Sequence, residues 1–73
     1  MYREVTLAVD VRCFERFEET SMLVFSGSYR RKGEVLTVGP AQLLIFDHKC
    51  QDVVPFTFGN KEYFILLSEL NVG

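Results

Sequence analysis

From Val5 to Cys13 the chain alternates without a break: Val5, Leu7, Val9, Val11 and Cys13 are separated by Thr6, Ala8, Asp10 and Arg12. A helix would scatter these five apolar side chains around its circumference, whereas a strand puts them all on one face. This stretch commits the chain to β structure with one buried side. Phe14 follows Cys13 with no polar spacer, and Glu15-Arg16-Phe17-Glu18-Glu19 is charged. The strand is therefore expected to bulge or end there, with a helical turn over Phe14–Glu19 as the rival reading.

The remaining segments are shorter and read the same way. Lys32-Gly33-Glu34-Val35-Leu36-Thr37-Val38-Gly39-Pro40 is a β-branched strand closed by glycine on both sides, entered through the basic run Tyr29-Arg30-Arg31-Lys32. Leu43–Phe46 reads as a buried strand, Asp47-His48-Lys49 as a turn, and Val53–Phe58 as a strand that Pro55 places at an edge or a bulge. Gly59-Asn60-Lys61 is expected to be a hairpin turn. In the strand that follows, Tyr63, Ile65 and Leu67 face one way while Phe64 and Leu66 face the other. A strand apolar on both faces needs cover on its outer side, which points to a subunit or partner interface. Ser68-Glu69-Leu70 starts a turn, and no stretch reads as a convincing helix. The sum is an all-β fold, a small, partly open β-barrel of about five short strands in one domain, residues 1–73.

Composition narrows the function classes. With Lys+Arg 8 and Asp+Glu 10 the net charge is −2, which argues against broad neutralisation of phosphates. The chain has 73 residues, and a domain of that size buries only about 60% of its unfolded surface, so a partner or a homo-oligomer is expected to assist it. Neither a secretory signal nor a membrane-spanning run is visible, and a cytoplasmic location with reduced Cys13 and Cys50 is the expectation. Asp47-His48-Lys49-Cys50-Gln51-Asp52 gathers possible ligands, but one histidine and one cysteine match no zinc spacing, and no orienting group accompanies them as a base and nucleophile. No catalytic residue, metal or cofactor is assigned, and enzyme activity is not expected.

Two segments carry the functional expectations. Met22-Leu23-Val24-Phe25 is an apolar tetrapeptide flanked by Thr20-Ser21 and Ser26-Gly27-Ser28, which fits either a mobile loop with an adhesive centre or a short core strand. The order of signals, with Lys32–Pro40 at its centre, Leu23–Ser28 upstream, and Leu44–Asp47 and Glu62–Glu69 downstream, resembles the GroES-type co-chaperonins. That resemblance implies a mobile loop at residues 20–32 whose residues Met22, Leu23, Val24 and Phe25 dock on a large protein partner, a chaperonin ring. The family's roof hairpin has no counterpart, since only Ala41 and Gln42 stand between Pro40 and Leu43. An alternative is a small virus-type adaptor that clamps a large enzyme such as RNA polymerase, using Tyr29, Arg30, Arg31 and Lys32 with the outer face of Tyr63, Ile65 and Leu67. A single-stranded nucleic-acid-binding barrel is a third reading, disfavoured by the acidic balance.

Overall fold

The structure is a computed structural model and describes residues 1–70. Seven strands and one helical turn follow one another: β1 (Arg3–Thr6), β2 (Val11–Arg16), β3 (Leu23–Arg30), β4 (Val35–Val38), β5 (Gln42–Phe46), β6 (Lys49–Phe58), β7 (Lys61–Leu66) and α1 (Leu67–Leu70). The fold is all-β, and every strand pairing between named strands is antiparallel. The sheet order is β1-β4-β6-β7-β2-β3, with β5 also on β6, and the sheet is not closed into a barrel. A parallel bridge from Met22 to Ile45 brings the start of β3 to β5, backed by Ile45 N–H donating to Ser21 O at 2.7 Å.

The long N-terminal alternation is broken into two strands, yet its burial pattern is kept. Leu7, Val11 and Cys13 are buried in one cluster, and Val5 and Val9 pack against it. The break lies at Leu7–Asp10, where the chain is pinned from outside. Leu7 N–H donates to Glu34 O at 2.9 Å, Gly33 N–H donates to Leu7 O at 2.8 Å, and the Asp10 carboxylate accepts Lys32 N–H at 2.7 Å. These bonds take the positions that a continuous ladder would need. They send β1 to β4 and β2 to β3 and β7. The expected irregularity after Cys13 is present as a register shift: Cys13 faces Ser28 and Phe14 faces Phe25, so Ser26 and Gly27 stand opposite a single step. Gly27, at φ 88°, supplies the backbone turn, and Ser26 Oγ donates to Cys13 O at 2.7 Å. The strand continues to Arg16, which excludes a helical turn from Phe14.

Strand β6 is interior, so of the two places that Pro55 suggests, an edge or a bulge, the edge is not the one found. The proline falls where pairing along one side of β6 passes from β5, ending at Val53, to β4, which meets it at Phe56. A missing N–H costs no ladder bond at such a switch. The Pro55 carbonyl instead accepts Gly39 N–H at 2.8 Å. Gly39 is required by crowding, because a Cβ there would stand 3.0 Å from Pro55 Cγ and 3.1 Å from the Tyr2 ring. The strand also starts earlier than expected, at Lys49, after the two-residue turn Asp47-His48. Gly59-Asn60 is likewise a two-residue turn, with Phe58 facing Lys61.

Both faces of β7 are covered by the chain itself. Ile65 lies in a cluster with Leu7, Val11, Cys13, Leu36, Val38, Val54 and Phe56, while Phe64 and Leu66 lie in a second with Phe14, Leu23, Leu44 and Val53. Each cluster draws on β2 and β6 as well as β7, because the curled sheet returns strands over both sides of its centre. The partner cover expected for the two-sided strand is thus supplied intramolecularly.

Candidate functional site

Strand β3 carries both of the candidate segments. Leu23–Arg30 is eight residues of continuous strand, paired along one side with β2. The segment expected to be a mobile loop over residues 20–32 is therefore strand through most of its length. The turn before it is held by Phe17 N–H to Met22 O at 2.8 Å and by Thr20 Oγ1–H to Phe17 O at 2.6 Å. Among the described residues, nothing beyond the Met22–Ile45 bridge pairs with the outer side of β3.

The four docking residues separate by face. Met22 is 52% exposed, Val24 44% and Phe25 42%, but Leu23 is 5% exposed and sits in the second cluster. Alternation puts Met22 and Val24 on one face and Leu23 and Phe25 on the other, where Leu23 enters the core and Phe25, opposite Phe14, stays partly exposed. Tyr29, at 41% exposure, joins Phe25 in an edge-to-face pair with ring centroids 5.4 Å apart. Behind them Phe14 meets Phe25 at 5.9 Å and the partly buried Phe46 at 4.7 Å, so the exposed pair rests on a buried ring. Sequence reading placed Phe25 and Tyr29 in different segments. The bulge at Ser26-Gly27 is what brings them together.

The β7 part of the second candidate set, Tyr63, Ile65 and Leu67, is turned toward the core. Ile65 is fully buried, Tyr63 stacks on Phe56 at 5.7 Å, and Leu67 packs against the first cluster. These residues face the core because β1 and β4 curl over that side of the sheet.

Most of the positive charge near β3 is already matched. Arg31 Nη1 lies 3.1 Å from Asp10 Oδ2, Arg30 Nη1 lies 3.6 Å from Glu34 Oε2, and Arg12 Nη2 lies 2.5 Å from Glu69 Oε2. Arg31 also lies over the Tyr29 ring at 5.5 Å, and Arg30 lies over Phe58 at 4.3 Å. The Lys32 backbone N–H, and then the Arg31 side chain, hold the Asp10 carboxyl below its ordinary value. Basic groups engaged in this way are poorly placed to release counterions from a phosphate backbone.

The Asp47–Asp52 segment does not assemble a centre. His48 lies in the turn, Cys50 is exposed on β6, and Cys13 is buried in the first cluster. Among the described residues no group of three or more His, Cys, Asp or Glu is gathered for a metal. An open groove of about 400 Å³ lies where β4 and β6 splay apart, with Tyr2, Val35, Leu36, Phe56 and Phe58 on its walls. Glu34 is its one ionisable carboxylate.

No helix among the described residues is long and apolar enough to cross a membrane. Comparison with protein-family models, with curated proteins and with solved structures finds no match for this chain.

Proposed function

We propose that this chain is a non-enzymatic protein-binding module that docks on a larger protein through the outer side of β3, by strand addition. One observation carries the reading: Leu23 to Tyr29 holds no charge and no proline, although it forms an end of the sheet. Natural sheet edges are normally blunted by short length, charged side chains or proline. The opposite edge, β1, has such protection in its four residues, with Arg3 and Glu4 among them. Strand β3 has the Gly27 bulge and a single charge at its last residue, Arg30, and it presents Val24, Phe25 and Tyr29 along a side whose backbone groups no named strand among the described residues pairs with. Strand addition would draw affinity from those backbone groups and specificity from the alternating side chains.

In the co-chaperonin-like form of this reading the partner is a chaperonin ring, and Met22, Val24 and Phe25 dock while Leu23 stays in the core. In the adaptor form the partner is a large enzyme such as RNA polymerase, and Tyr29, Arg30, Arg31 and Lys32 extend the same edge. A photo-crosslinking residue placed at position 25, and a control at position 4 on β1, test the module. Crosslinks to one larger protein from position 25 alone are expected, and mass spectrometry of the adduct separates the two partners. Equal yields from both positions, or none from position 25, would sink the reading.

A further inference from the structure

We infer that one occupant of the β3 edge is the β3 edge of a second copy of this chain, giving a two-fold symmetric dimer; this rests on the proposed docking role of β3. Two features make the edge complementary to itself when the strands run antiparallel. The first is charge. The turn leading into β3 carries Glu18 and Glu19, and the turn leading out carries Lys32 next to Arg31, which is already paired with Asp10. A two-fold axis near the middle of the strand sets the acidic entry of each copy toward the basic exit of the other. A parallel arrangement would set like charges together.

The second feature is the spacing of the aromatic rings. With the axis at Gly27, Phe25 of one copy stands opposite Tyr29 of the other, and the reverse pair follows by symmetry. Both rings already share one face of β3 within a copy, 5.4 Å apart and roughly two-fifths exposed. The dimer would join four rings into one patch, the kind of cross-strand aromatic pairing that stabilises sheets. At the axis, a Cβ on Gly27 would meet nothing within 4 Å, so the strand is open there and carries no side chain to hold a second backbone away.

Sedimentation velocity on the full chain from micromolar to millimolar concentration tests the inference. A two-chain species that grows with concentration and weakens in high salt is expected. Tyr29→Lys should abolish it. Glu19→Lys and Lys32→Glu, both at exposed positions, should each weaken association several-fold, because each homodimer then opposes like charges. An equal mixture of those two variants should restore it, since both cross-axis pairs become complementary. A chain that stays monomeric at every concentration, a dimer indifferent to Tyr29→Lys, or a mixture no tighter than its components would overturn the inference. The docking role fails separately, through the crosslinking yields from position 25, so a monomer that still crosslinks removes the dimer alone.

Discussion

Asp47 and His48 adopt φ of 56° and 62° in the turn between β5 and β6, a left-handed pair that a two-residue hairpin of the primed type demands. Residues with a Cβ are strained there, and Asn-Gly is the pair that suits it best. Replacing Asp47-His48 with Asn-Gly should therefore stabilise the fold by about 1 kcal/mol, read as a higher denaturant midpoint with an unchanged slope. Cys13 and Cys50 divide by burial. Burial pushes the Cys13 thiol above its ordinary value, whereas Cys50 is exposed. An aromatic disulfide reagent should thus titrate one thiol in the native protein and two in denaturant. Asp10 gives a pH signature. Its folded value lies below the ordinary 3.8, so the contribution of its bonds to Lys32 and Arg31 is present above that value and is lost as pH falls through the lower, folded one. Amide exchange at Leu7 and Gly33, whose bonds bracket this anchor, should quicken as pH drops through that window, after correction for the intrinsic rate. Asp10→Asn should flatten the response.

At the scale of an element, two glycines hold their places for opposite reasons, Gly27 within β3 and Gly39 just after β4. Gly27 holds φ 88° with open space around it, so Gly27→Ala should cost only backbone strain, about 1–2 kcal/mol. Gly39 is the converse: its φ is not left-handed, and Gly39→Ala should destabilise by driving a methyl against Pro55 and Tyr2. A midpoint loss for Gly39→Ala that vanishes when Tyr2 is also cut to alanine would tie part of the cost to that contact. The residues of the candidate site were legible as two separate segments, Met22–Phe25 and Tyr29–Lys32. That one strand runs through both was not legible, because Ser26-Gly27-Ser28 reads locally as a break. Only the pairing of Val11–Arg16 across from it carries the strand through the glycine.

The whole molecule rests on two clusters sharing β2, β6 and β7, and Phe14 is, with Phe64, among the largest fully buried side chains. Phe14→Ala should cost about 3–5 kcal/mol, a large part of what a domain this small has to lose, so the variant is expected to be mostly unfolded at room temperature by circular dichroism. The short helix α1 is tied to β2 by Arg12, whose Nε and Nη2 donate to Glu69 Oε2 at 2.9 and 2.5 Å. The same guanidinium lies over the rings of Phe14 at 5.0 Å and Phe46 at 5.4 Å. Glu69→Gln should lower stability by roughly 0.5–1 kcal/mol, the modest figure suited to a partly exposed ion pair, and should loosen α1 in amide exchange.

By itself the sequence determined the all-β class, the buried side of Val5–Cys13, the irregularity after Cys13 and the sites of the two hairpin turns at Asp47-His48 and Gly59-Asn60. Each of these follows from a period of two or from residues a few positions apart, so local chemistry settles them. Only the tertiary structure decided where the first alternation breaks, that β7 is covered on both faces, and that β3 ends the sheet. The first depends on Asp10 meeting Lys32, the second on β1 and β4 folding over Ile65, and the third on which strands lie beside one another. Edge and centre are relations between segments far apart in the chain, and a strand's own residues do not encode its neighbours.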